Sequence, residues 1–172
     1  KPHYGGSAST EIVERLEEYI ALAETSNETK FMPLPNAQAN GMLEYIDPEP
    51  TYLSHIATMV DLESIRKAGL RIVVDPMFGA GAGYFTKLLS GGSTEITEIR
   101  SNRNPTFPGM SQPEPIAQNL ELLMETVPAG SFHVGLATDG DADRLGLVDE
   151  NGQFLTTLQS FALLCLYQLE VL

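Results

Sequence analysis

Asp139, Asp141 and Asp143 recur at alternate positions in "ATDGDADR", and Arg144 follows them directly. Carboxylate oxygens are hard ligands suited to Mg²⁺ or Ca²⁺. On a straight strand the outer two aspartates would stand about 13 Å apart, at roughly 3.3 Å per residue. Neighbouring oxygens around Mg²⁺ lie only about 3 Å apart, with metal–oxygen distances near 2.0–2.1 Å. The segment therefore has to curl if the three are to share one ion, and Gly140 and Ala142 are small enough to let it. Two carboxylates about 5 Å apart repel by roughly 3 kcal/mol at an effective dielectric near 20, but by less than 1 kcal/mol in water. A curled, sequestered loop calls for a cation, whereas a solvated acidic turn does not.

A calcium loop of the EF-hand type competes for the same residues. Counting from Asp139, acidic side chains occupy positions one, three, five and, with Glu150, twelve. Position six is Arg144, where that loop needs glycine for its sharp turn, and the flanks read as strands rather than helices. Arg144 is chemically informative. Beside a metal-loaded carboxylate cluster, a guanidinium can bind a phosphate oxygen bidentately while the metal polarises another. Its plainer alternative is a salt bridge to the neighbouring aspartates. Together the four residues point to phosphoryl chemistry.

The elements that must position this loop follow from periodicity. A first helix is signalled by Ser9 as N-cap, Glu11 in the first turn, and Ile12, Leu16, Ile20 and Ala23 at helical spacing, ending near Ser26. Residues 27–50 hold four prolines, three asparagines and a glycine in a short span and read as a linker. A second helix is expected over Thr51–Lys67, with Leu53, Ile56 and Val60 on one face and Gly69 as its stop. From Leu70 strands and helices alternate. "LRIVVD" has the apolar character of a strand covered on both faces, "GYFTKLL" is a short helix, and "STEITEI" an alternating strand. "PIAQNLELLMETV" is an amphipathic helix begun by Pro115, and "FHVGLAT" a strand with Phe132, Val134 and Leu136 on one face. Asn151-Gly152 marks a hairpin between two further strand halves. The prediction is a three-layer α/β/α domain with a mixed, partly parallel sheet, flanked by pieces of neighbouring domains. Its aspartate loop would sit beyond the end of a strand, where such folds place ligands.

Composition sets the outer bounds. The 172 residues carry 23 acidic and 10 basic side chains, a formal net charge of −13, and a hydrophobic fraction of 42%. The chain can bury a core, but it lacks the basic patch that nucleic acid or an anionic membrane surface would need. The single cysteine, Cys165, rules out an internal disulfide and reads as a buried apolar thiol. With no secretory signal or membrane span in the sequence, a reducing, cytoplasmic setting is expected. Several other residues invite a role and are read as structural. In "FGAGAGY", Tyr84 stands where a third nucleotide-binding glycine would be, so close packing of helix on strand is expected. Arg100 and Arg103 read as solvated loop residues that could offset an anionic substrate, and Asp75 as a turn residue before Pro76. The Ser54-His55 pair reads as ordinary helix. His3, His55 and His133 have no ligand-like spacing.

The motifs "DGDADR" and "LGLVDENGQFL", preceded by "NPTFPGMSQPEPIAQNLELL" and "RIVVDPMFGAGAG", resemble the second domain of the α-D-phosphohexomutases, the phosphoglucomutase and phosphomannomutase superfamily. "KPHYGGSAS" with the first helix is similar to the tail of that family's first domain, and the segment after Thr156 to the start of its third. The resemblance implies boundaries of 1–26 for the preceding domain, 27–50 for the linker, 51–155 for the metal-binding domain and 156–172 for the following one. It implies one Mg²⁺ held by Asp139, Asp141 and Asp143 and completed by a phosphoserine, with Arg144 bordering the active site. The implied reaction interconverts hexose 1-phosphate and hexose 6-phosphate through that phosphoserine and a bisphosphorylated sugar. The family's serine lies in a Ser-His-Asn-Pro loop that would fall before Lys1, and its sugar- and phosphate-binding loops would fall after Leu172. The chain alone is thus expected to bind metal weakly and to catalyse nothing. The alternative is a noncatalytic divalent-metal-binding or interaction domain that uses the same loop.

Overall fold

The computed structural model of the chain describes residues 3, 5–26 and 30–170. Residues 1, 2 and 4 of the opening motif, 27–29 of the expected linker and 171–172 of the last apolar segment lie outside the described residues. The chain divides into two units, Lys1–Asp47 and Pro48–Leu172.

The first unit contains α1 (Thr10–Ser26), as expected from its stripe, though none of its residues is buried. The expected linker contains a short helix, α2 (Leu34–Ala39), with Pro33 at its N-cap and a proline in its first turn. Proline fits there because the first-turn N–H groups have no intrahelical partner to lose.

The second unit begins with α3 (Glu49–Met59) and α4 (Leu62–Lys67) in place of one continuous helix. Val60 is extended, with φ −127° and ψ 135°. Asp61 then opens a new helix by accepting the Ser64 N–H at 3.0 Å. An Asp three residues before Ser is an N-cap signal that the apolar periodicity conceals. Leu53 and Ile56 are half-buried on α3, as is Glu49 at its start, while Val60 is 44% exposed.

A five-stranded sheet follows in the order β2-β1-β3-β4-β5. Its members are β1 (Arg71–Asp75), β2 (Glu95–Glu98), β3 (Val134–Thr138), β4 (Leu145–Asp149) and β5 (Phe154–Leu155). β1 pairs in parallel with β2 and β3, while β3–β4 and β4–β5 are antiparallel. The crossover from β1 to β2 carries α5 (Tyr84–Leu89), and α6 (Glu121–Ala129) precedes β3. One face of the sheet packs Ile72 and Val74 against Leu62 and Leu89 of α4 and α5. The other packs Val73, Ala137 and Val148 against Leu120, Leu123 and Val127. Both faces are covered, which is why β1 is buried at four consecutive positions. The predicted α/β/α layering is therefore present.

Local details depart from expectation for physical reasons. α6 starts only at Glu121 because Pro115 is followed by a 3₁₀ turn over Ala117–Asn119 and a break at Leu120. Phe132 does not share the face of Val134 and Leu136: Ser131, at φ +52°, turns the chain so that Phe132 packs on the α6 side. The β4–β5 hairpin closes as expected, with Gly152 at φ +79° and Asp149 Oδ1 accepting the Asn151 and Gln153 N–H groups. The final helix, α7 (Thr157–Glu170), buries none of its residues, and Cys165 on it is half-buried rather than buried. No helix among the described residues is long and apolar enough to cross a membrane.

Candidate metal centre

β3 ends at Thr138, and Asp139 is the first residue of the connection to β4. The connection curls as the metal geometry requires. Ala142 donates its N–H to the Asp139 carbonyl at 3.1 Å, and Ala142 itself adopts φ +63°. One carboxylate oxygen from each of Asp139, Asp141 and Asp143 lies within 4.8 Å of the others. Neighbouring oxygens around Mg²⁺ are about 3 Å apart, and only one pair among three ligands can stand opposite at about 4.1 Å, so the loop has to draw in by up to about 2 Å. An all-carboxylate donor set is also the right chemistry for a hard divalent cation. The residues present fit the ion.

The three aspartates are not equivalent. Asp139 is buried, while Asp141 and Asp143 are exposed. Arg144 holds Asp139 twice, through its backbone N–H to Oδ1 at 3.0 Å and through Nε to Oδ2 at 2.7 Å. Its Nη1 reaches Glu114 Oε1 at 2.8 Å. The salt bridge to an aspartate is thus present, yet 55% of the Arg144 side chain remains exposed. Burial pushes the Asp139 carboxyl up, but the backbone N–H and guanidinium of Arg144 outweigh it and hold the group below its ordinary value. Asp143 is pushed up, first by the charge of Asp141 and then by its contact with Asp139. Arg144 is raised, chiefly by Glu114 and then by Asp139, and stays protonated.

Only Asp139 is sequestered, and Arg144 already neutralises it. The like charges of Asp141 and Asp143 are in solvent, so electrostatics alone does not demand a cation here. Arg144 Nε also lies 3.6 Å from Asp143 Oδ1 and draws it toward Asp139, while Asp141 is brought in by the backbone that presents it. Gly140 donates its N–H to the Pro113 carbonyl at 3.1 Å and accepts from the Ala80 N–H at 3.0 Å. The flanking elements are β3 and β4, not the helices of an EF-hand.

Beside the loop lies a cleft of about 620 Å³ lined by Tyr52, Tyr84, Leu88, Thr138, Asp141 and Arg144, among others. Thr138 is 7% exposed, and its hydroxyl has no hydrogen-bond partner among the described residues. The volume falls within the ordinary range of ligand sites, roughly 300–1,000 Å³.

The remaining sequence candidates find structural roles. The turn "FGAGAGY" packs closely, as expected, but against the aspartate loop as well as its own helix. A Cβ on Gly79 would lie 2.6 Å from the Gly140 carbonyl oxygen. The α5 N-terminus does not await phosphate, because the Gly83 N–H donates to the Glu98 carboxylate at 3.0 Å. Arg100 is not a solvated loop residue. It forks onto Asp75, which is fully buried, and also donates to the Asn119 carbonyl at 2.9 Å. Asp75 does serve its turn, accepting the Met77 N–H at 3.0 Å. Arg103 is exposed, His133 accepts the Arg71 N–H through Nδ1, and Ser54 bonds back to Pro50 within α3. Glu114 and Thr138 escaped the sequence reading. Glu114 meets Arg144 across 30 positions of chain, which no periodicity reveals.

Comparison with known proteins agrees with this geometry. The family model for phosphoglucomutase/phosphomannomutase, alpha/beta/alpha domain II, matches residues 50–152. A "Probable phosphoglucosamine mutase" of Methanopyrus kandleri is 37% identical over 122 residues, covering 71% of this chain and 27% of that protein. A "Phosphoglucomutase/phosphomannomutase" of Thermococcus kodakarensis is 37% identical over 123 residues, covering 72% and 27%. Among solved structures, a phosphoglucomutase/phosphomannomutase family protein from Burkholderia thailandensis aligns with TM-score 0.58 and 28% identity, over 73% of this chain and 27% of that one. A crystal structure from Thermus thermophilus aligns with TM-score 0.68 and 32% identity, over 73% and 29%. The chain spans about a quarter of the length of the curated relatives it matches. The matched stretch includes the aspartate loop, and the chain belongs to the phosphoglucomutase/phosphomannomutase family and contains its α/β/α domain II.

Proposed function

We propose that this chain supplies the Mg²⁺-binding domain of a phosphohexomutase, which interconverts hexose 1-phosphate and hexose 6-phosphate through a phosphoserine and a bisphosphorylated sugar. In this reading Asp139, Asp141 and Asp143 are the metal ligands, residues 51–155 form the metal-binding domain, and 1–26 and 156–172 belong to the preceding and following domains. The solvent-facing character of α7, with Leu158 at 81% and Leu169 at 85% exposure, is consistent with a helix that packs on further structure. The observation that carries the proposal is the convergence of three carboxylates on the loop that ends β3, inside the stretch the family model matches.

This chain's own residues divide the work. Arg144 fixes the orientation of Asp139 through two hydrogen bonds, so that the loop's one buried ligand is aimed before any ion arrives. Asp141 and Asp143 present the remaining carboxylates at the surface beside the cleft, where an incoming phosphate can approach. The exposed part of the Arg144 guanidinium adds a positive group for a phosphate oxygen. Mg²⁺, when bound, would hold and neutralise the oxygens of the phosphate in transfer. No described element supplies the phosphoserine loop, so the chain alone is expected to be inactive, and a cytoplasmic location suits the sugar-phosphate substrate.

The test is Asp141→Asn in a longer protein that carries this chain and the phosphoserine loop. Loss of a metal ligand should lower mutase activity by about two orders of magnitude or more while circular dichroism stays unchanged. Near-normal turnover with Mg²⁺ would sink the assignment.

A further inference from the structure

Three like-charged side chains converge here; Arg144 lies against Asp139 and Asp143 but not Asp141, so the backbone between Asp139 and Asp141 must be held by something else. The main-chain hydrogen bonds of Gly140, the residue between the first two aspartates, lead to two loops. On one side its N–H is taken by Pro113, and a Cβ on Gly140 would lie 2.8 Å from Pro113 Cγ. On the other stands the turn after β1. Ala80 donates to the Gly140 carbonyl, and Gly79 approaches so closely that a Cβ there would lie 2.8 Å from the Gly140 Cα.

That turn is itself held in a costly shape. Met77 and Phe78 sit at φ +47° and +62°, a region that residues with side chains seldom adopt and keep only when their surroundings over-determine it. The surroundings do so. Buried Asp75 accepts the Met77 N–H, the Arg100 carbonyl accepts the Phe78 N–H at 2.8 Å, and the Phe78 carbonyl accepts the Asn104 N–H at 3.1 Å. Arg100, paired with Asp75, locks those two segments together. Two consecutive left-handed residues thus deliver Gly79 and Ala80 against the backbone of the aspartate loop.

We infer that the Pro76–Ala80 turn is the positioning element of the metal loop, and that Gly79, which touches no ligand carboxylate, sets how tightly the three aspartates converge. The inference rests on the metal-binding reading above. Adding one methyl at Gly79 pushes against the Gly140 backbone, and the displacement passes directly to Asp139 and Asp141. Gly92 provides a matched control. A Cβ there would also meet backbone, at Arg66, but Gly92 lies in the loop entering β2. Because β1, β2 and β3 run parallel, that loop is at the opposite end of the sheet from the aspartates.

The experiment titrates the 172-residue chain with Mn²⁺ and reads free Mn²⁺ by electron paramagnetic resonance, with thermal unfolding measured on the same samples. Gly79→Ala should weaken Mn²⁺ binding by about tenfold or more, the usual cost of disturbing residues that orient metal ligands. Gly92→Ala should lower the melting temperature and leave the affinity alone. If Gly79→Ala fails to fold, Gly81→Ala takes its place, since a Cβ there meets the Thr138 side chain and lies 3.5 Å from the Ala142 Cβ. It should weaken Mn²⁺ binding, and adding Thr138→Ala should restore it. Equal affinity in the parent and Gly79→Ala chains, or equal weakening by Gly79→Ala and Gly92→Ala, overturns the positioning role and leaves the metal centre standing. A parent chain that does not bind Mn²⁺ at all overturns both.

Discussion

Replacing Asp75 by alanine should be the most damaging single change in the sheet. The carboxylate is fully buried, and its partner Arg100 exposes only 15% of its side chain. The Nε and Nη2 of Arg100 and the Met77 N–H converge on the one group. Removing one partner of a buried pair costs about 3–5 kcal/mol, because the other charge stays desolvated. The Asn119 carbonyl still accepts from Arg100 and softens that loss. The Met77 N–H loses its acceptor and adds about 1–3 kcal/mol, though the two contributions share a site and do not sum fully. A net destabilisation of about 4 kcal/mol follows, against a total of roughly 5–15 kcal/mol for a domain. Urea unfolding followed by circular dichroism should show it as a lower midpoint with unchanged slope. The melting temperature should drop by roughly 10–20 °C. The double variant Asp75→Ala/Arg100→Met should be more stable than Asp75→Ala, since it removes the stranded charge. A single-variant loss below about 1 kcal/mol, or a double variant no better than the single, would refute the reasoning.

Two further outcomes test the fold. Leu123→Ala deletes a fully buried side chain between α6 and the sheet and should cost about 2–5 kcal/mol in urea unfolding. Asp61 is held below its ordinary value by the Ser64 hydroxyl and then by the Ser64 N–H. Its cap therefore stabilises fully above the unfolded pKa and is lost as pH falls through the lower folded one. Asp61→Asn keeps an acceptor at the N-cap and should flatten that acid-side dependence in pH-resolved thermal unfolding.

Much of the architecture was legible because it rests on local rules. The apolar run "RIVVD" announced a doubly covered strand, and β1 is buried at four of its five positions. Asn151-Gly152 announced the hairpin. Where a local rule met a competing one, the reading slipped: apolar spacing carried a helix through Val60 and Asp61, where an N-cap breaks it. Arg100 was misplaced because a charged residue in a polar loop looks solvated until the fold brings a buried carboxylate to it.

The sequence by itself determined the chemistry on offer: three carboxylates at alternate positions, an arginine behind them, and a strand on either side. Spacing along a chain cannot bring side chains within 4.8 Å when a straight strand would hold them about 13 Å apart. That closure was decided by tertiary structure, through Pro113 and the strained turn at Met77 and Phe78, which lie about 26 and 62 residues upstream of Asp139. Contacts at such separations depend on which strands become neighbours, and β1 lies beside β3 only once the sheet has formed.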